Sequence, residues 1–223
     1  MSITMEQVKS LRQRTGAGIG DCKKALVETD GDEEKAVEII QKKGLAKVAK
    51  KAGAIAAEGL VHGYIHAGSR VGVLVEVNCQ TDFVARNEEF QEFVNQVAMH
   101  IASEKPEVVK AEDLSDELVE KQRAIFVGQL EEEEKQTGKK KPEQAVKGII
   151  EGKLAKWKKQ SCLLDQEFIF AEEKETVGEV LDALTAKIGE KLSIRRFVRY
   201  ELGEGIEKKK TDLAAEVAEQ LGS

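Results

Sequence analysis

The chain has 223 residues, of which 41% are hydrophobic and 34% charged, and its formal net charge is −6. That length can bury a real core and suits two or three small units, and the acidic balance argues against general binding to nucleic acid or an anionic membrane. No segment approaches the roughly 20 apolar residues of a membrane span and the N-terminus lacks an apolar signal-peptide core, so the expected setting is the cytoplasm or a similar compartment.

The first elements read as a compact helical head. Thr4 with Gln7 makes a capping-box start, Met5, Val8 and Leu11 share one helical face, and Gly16 and Gly18 mark the stop. A second short helix turns Cys22, Ala25 and Leu26 inward. A third runs from Asp32 with an acidic first turn, carries Ala36, Ile39 and Ile40, and is expected to stop at Gly44. The lysine- and alanine-rich stretch that follows, KKGLAKVAKKAGAIAAEG, reads as a basic linker helix. Its ordinary role is to join two units; its functional alternative is a patch for RNA.

The second unit is a sheet covered by helices, so the fold class is α+β. LVHGYIH and VGVLVEVN flank the connection AGSR and predict an antiparallel hairpin with Val71, Val73, Val75 and Val77 on one face. Phe90, Phe93, Val94, Val97, Ala98 and Ile101 keep helical spacing and predict a helix that covers that face. A third strand is expected at residues 193–202, with a capped helix beginning near Thr176 packed nearby. Between these segments, an acidic helix over 113–135, the break TGKKK and a helix opened by Pro142 predict an antiparallel helical hairpin. It either projects towards a partner or covers its own domain. At the C-terminus, Thr211 caps a helix with Leu213, Ala214, Val217, Ala218 and Leu221 on one face, which docks either at home or on a partner.

Little in the chain points to bond-making chemistry. Cys22, Cys79 and Cys162 stand too far apart for a zinc site or a redox pair, GAGIGDCKK does not follow a strand, and no carboxylate or histidine cluster has metal spacing. A nucleophile set of Cys79 with His62 or His66 and Asp82 would need a base that sequence cannot place. The expectation is a binding protein, neither an enzyme nor the holder of a cofactor or metal. Phe83 is the residue that stands out, falling between the strand end at Asn78 and the helical stripe from Phe90. A large ring on such a loop ordinarily folds back into its own core, yet that stripe is complete without it.

Three segments, LRQRTGAGIGDCKKAL, VNCQTDFVARN and GEGIEKKKTDLAAEVAEQ, occur in this order and together resemble bacterial translation elongation factor Ts, the nucleotide exchange factor for elongation factor Tu. The overall length and LLDQEFI are most similar to short cyanobacterial and plastid-type forms, which makes the plastid stroma an alternative setting. The resemblance implies a UBA-like three-helix head over 1–45, a linker helix over 46–58, an α+β core over 59–112 and 161–203, a hairpin insertion over 113–160 and a C-terminal helical module over 204–223.

It further implies that Thr81, Asp82, Phe83 and Val84 act near the magnesium site of elongation factor Tu. There the ring enters between two helices, the magnesium and phosphate contacts loosen, and GDP leaves with no covalent step. Arg12, Ile19 and Gly20 match contact positions of the head, and Leu213 and Val217 belong to the C-terminal grip. Longer members often have two methionines at the positions of Ile19 and Gly20, and they carry two core subdomains where this chain shows one. From that single set, with its open sheet edges, association of two chains through their cores is expected. The competing function is an RNA- or ribosome-binding adaptor that uses the lysine-rich linker with Arg195, Arg196 and Arg199; on the exchange reading no specific nucleic-acid contact is expected.

Overall fold

The computed structural model describes residues 3–206 except 52, 139 and 173. The C-terminal helix expected from Thr211, with Leu213 and Val217, lies outside the described residues.

The head contains α1 (Met5–Thr15) and α2 (Ile19–Glu28), and α3 (Glu33–Lys51) leaves it. The Thr4–Gln7 capping box forms on both sides, with Gln7 N donating to Thr4 Oγ1 over 3.2 Å. Val8, Leu11, Cys22, Ala25, Leu26 and Ala36 make a small closed core. Met5, expected on the inner face with Val8 and Leu11, is exposed: it opens α1 a full turn before Val8.

The expected stop at Gly44 is not a stop, because α3 runs unbroken through it to Lys51. A side chain at Gly44 would begin 3.4 Å from Ala186 Cβ, so this glycine lets α3 approach α8 (Val177–Ile188) closely. The separate linker helix over 46–58 is corrected with it. Residues up to Lys51 continue α3, and strand β1 (Glu58–Ile65) already begins at Glu58.

The sheet has the order β1-β2-β3, with β2 (Val71–Cys79) in the centre and β3 (Ser193–Glu201) antiparallel to it. Val73, Val75, Val77 and Cys79 face a core closed by α5 (Glu88–Glu104), whose Phe90, Phe93, Val94, Val97, Ala98 and Ile101 are all buried. Asn87 caps α5, accepting from Glu89 N and Phe90 N. Within this core His100 is buried and neutral-leaning: burial lowers its pKa, Nε2 pairs with Gln166 Oε1 at 2.9 Å, and Nδ1 accepts from Ile169 N. The hairpin expected between Asp113 and Gln160 forms from α6 (Asp116–Thr137) and α7 (Glu143–Ser161), with its own apolar contact of Leu130, Ile150 and Leu154.

A β-bulge between Glu76 and Val77 leaves Arg195 as an extra residue of β3, so that Arg195 and Arg196 both reach one carboxylate. Each guanidinium lies 2.7 Å from Glu76, which holds that carboxyl down at about 2. Glu201, hydrogen-bonded by Lys105 and Arg199, is likewise held at about 2. Because the unfolded chain binds these two protons near the ordinary carboxylate value of 4.5, the stability they add is complete above that pH and is lost as pH falls towards 2. Melting temperature should therefore decline over that window, and Glu76→Gln should lower the plateau and flatten the decline. An identical profile for the variant would contradict the pairing.

Candidate functional site

The segment between β2 and α5 is a single helical turn, α4 (Asp82–Ala85), where an irregular loop was expected. Four residues are too few for a helix to hold itself in water, so its anchors lie outside it. Val84 and Ala85 plug into the sheet core. Cys79 Sγ donates to Thr81 O at 3.1 Å. Thr81, at the N-cap position, does not cap the turn with its hydroxyl; it donates both N–H and Oγ1–H to the Glu190 carboxylate, at 3.1 and 2.9 Å. Next to it, Lys191 N donates to Gln80 Oε1 at 2.9 Å.

With its inner side fixed in this way, the turn carries Phe83 on its outer side, 78% exposed. The ordinary alternative, in which the ring folds back into its own core, does not hold: the ring is exposed. The inner positions of the turn are already filled by Val84 and Ala85, and Phe83 lies one position off that face. Asp82 is half-buried and paired with Arg86 at 2.9 Å. Val84 was expected to contact a partner, but as a buried residue it has almost no surface to offer, and its part is to anchor the turn.

The head positions gather at the junction of α1 and α2. Arg12 lies in the last turn of α1, and Ile19, 50% exposed, and Gly20 open α2. All three face solvent, and nothing lies within 4 Å of where a Gly20 side chain would begin. Lys187 relates this corner to the aromatic turn. Its stem passes 3.5 Å from a side-chain position at Gly16, and its ammonium pairs with Glu89 at 2.6 Å in the first turn of α5. One lysine thus spans from the C-cap of α1 to the first turn of α5, the segment that follows Phe83. The residues that sequence reasoning missed are Glu190, Lys187 and Gln80. Glu190 directly follows Gly189, the left-handed C-cap of α8 at φ 81°, which was the one local sign that the chain turns there.

The alternatives fare less well. Cys79 is fully buried; burial first and the Glu190 carboxylate second push its thiol up, away from the thiolate that a nucleophile requires. The three strand arginines offered for RNA are engaged within the chain: Arg195 and Arg196 hold Glu76, while Arg199 is buried against Glu201 and Ala102 O. On the outer face of the sheet, Val61, Ile65, Leu74, Val198 and Tyr200 are exposed together. Among the described residues, no helix is long and apolar enough to cross a membrane.

Comparison of the amino-acid sequence with known proteins points to one family. The family model described as Elongation factor TS matches residues 17–204. Curated proteins named Elongation factor Ts are similar throughout: that of Geobacter metallireducens is 54% identical over 222 residues, 100% of both chains. The protein of Desulforamulus reducens is 53% identical over 219 residues, 98% of both chains. That of Carboxydothermus hydrogenoformans is 54% identical over 216 residues, covering 97% of this chain and 96% of the relative. The short length that suggested a cyanobacterial or plastid-type form is shared by these relatives and does not single out a plastid.

Since Cys22, Cys79 and Cys162 are all buried, a thiol reagent at mildly alkaline pH should label none of them quickly in the native protein and all of them after denaturation. Rapid native labelling at Cys79 would show that the turn leaves the thiol open and reactive.

Proposed function

The chain belongs to the elongation factor Ts family, and from that premise we propose that it is a cytoplasmic guanine nucleotide exchange factor for elongation factor Tu. The observation that carries the mechanism is Phe83: a phenyl ring, 78% exposed, on a turn whose inner side is anchored in the core. An exposed ring contributes nothing to its own fold and gains only when a partner buries it. It enters an apolar slot between two helices of elongation factor Tu beside the magnesium site, with Asp82 at the rim. The contacts that hold magnesium and the phosphates loosen, and GDP leaves without any covalent step. The factor shifts the equilibrium because it binds the nucleotide-poor state more tightly than the GDP state.

Arg12 and Ile19 at the head corner grip the nucleotide-binding domain, and Gly20 adds no apolar contact of its own. Leu213 and Val217 complete the grip from the C-terminal module. The head, the sheet core and the hairpin are read as separate units, with the head and the aromatic turn serving the same side of the partner.

Burying a phenyl ring contributes about 1.5 to 3 kcal/mol, and each 1.4 kcal/mol is about a factor of ten. Phe83→Ala should therefore slow stimulated release of labelled GDP roughly 10- to 100-fold. Its melting should stay within about 0.5 kcal/mol of the parent, as expected for a surface position. Phe90→Ala, at a fully buried ring on the next helix, should instead cost about 3 to 5 kcal/mol of stability. Asp82→Ala should slow exchange less than Phe83→Ala. Normal exchange by Phe83→Ala defeats the reading.

The open sheet face supports a further statement about assembly. Val61, Ile65, Leu74, Val198 and Tyr200 form an exposed apolar surface on a sheet whose two edge strands are β1 and β3. Two copies pairing through their cores would cover it. Sedimentation at tens of micromolar should show a dimer that Tyr200→Glu dissociates; a monomer at that concentration contradicts it.

A further inference from the structure

Exchange by insertion of a ring needs the ring to be held in one direction, and α4 cannot provide that alone. Its own backbone hydrogen bonds are few: Ala85 N to Thr81 O is 3.4 Å long, Arg86 N to Phe83 O is 3.2 Å and Asn87 N to Val84 O is 2.9 Å. The hydroxyl that would ordinarily cap such a turn from inside is turned away to Glu190. We propose that Glu190 is the positioning residue of the exchange turn: its carboxylate, accepting from Thr81 N and Thr81 Oγ1, sets the direction in which Phe83 points.

Several observations converge on that role. Glu190 is 109 residues from Thr81 in sequence, so the bonds tie the turn to the α8–β3 junction and not to its own neighbours. The junction is doubly attached there, since Lys191 N bonds Gln80 and Lys191 Nζ bonds Ala54 O at 3.0 Å. The end of α8 is itself braced, because Ala186 meets α3 at Gly44 and Lys187 pairs with Glu89. Hydrogen bonds to a charged acceptor are also stronger than neutral ones. Glu190 makes no contact with a partner in this account; it acts through Phe83.

The inference rests on the exchange reading above, and its test separates the two. Stimulated GDP release is measured over a range of factor concentration for Phe83→Ala, Glu190→Ala, Glu190→Gln and the double variant Phe83→Ala/Glu190→Ala. Loss of the charged hydrogen bonds should lower the maximal rate with Glu190→Ala roughly tenfold, while the half-saturating concentration stays nearly constant because the head and the C-terminal module are untouched. Glu190→Gln, which keeps an acceptor for Thr81 N–H, should recover much of the rate. The double variant should be no slower than Phe83→Ala alone, since without the ring there is nothing left to position.

If Phe83→Ala is impaired and Glu190→Ala is normal, the positioning role is wrong and the exchange reading stands. Should both be normal, the exchange reading falls and takes the inference with it. Additive losses in the double variant, with a raised half-saturating concentration, would make Glu190 a general structural support and overturn the proposal. If Glu190→Ala does not fold, Thr81→Val supplies the same test by removing the hydroxyl bond alone. A smaller fall in maximal rate, again absent on the Phe83→Ala background, is expected, and an unchanged rate overturns the proposal.

Discussion

The carboxylate of Glu190, bonded to the backbone and hydroxyl of Thr81, is the contact that ties the turn carrying Phe83 to the rest of the fold. It joins the end of the central strand to the entry of the last strand, two points that the chain order keeps far apart. Further long-range ties accompany it: Lys191 to Gln80 and Ala54, Lys187 to Glu89, and Gly44 against Ala186. Most of these are partly exposed and individually modest. Their value lies in position, because they gather around the four-residue turn and tie it to the sheet, α3 and α8.

An exposed phenylalanine is a cost to a soluble protein unless a partner removes it from water. Here the cost is confined to one ring, since the neighbours Val84 and Ala85 are buried and Asp82 is paired with Arg86. On the proposed function this arrangement keeps the factor's own stability separate from its action on the partner. The sheet, α5 and α8 supply the stability, and the ring supplies differential affinity. A rigid donor of this kind lowers the ordering cost of association, which leaves more of the ring's burial to work against the partner's nucleotide site.

Much of this was legible where a period carried the signal. The alternating valines of β2 and the stripe from Phe90 to Ile101 are patterns of period 2 and 3.6, and both faces are buried as the spacing requires. Capping residues were equally readable, as Thr4 and Thr176 both form full capping boxes. The misreadings share a different cause. Gly44 read as a helix stop because glycine is a breaker in isolation, while its partner, Ala186, lies on a distant helix. The turn at Asp82–Ala85 spans barely one helical period, so no repeat within it could distinguish it from loop or decide which of Phe83 and Val84 faces out. The arginines of β3 read as a basic surface because a bulge that aims two of them at Glu76 leaves no mark in composition.

The central claim is that Phe83 stands exposed in the free factor in order to be buried in elongation factor Tu, with the turn already in its working form. A structure of the complex with nucleotide-free elongation factor Tu tests this most directly. The account predicts the Phe83 ring enclosed between two helices of the partner, beside the emptied magnesium site, with Thr81 still bonded to Glu190. A complex in which the ring remains in solvent, or in which α4 has left Glu190 and refolded, would contradict it.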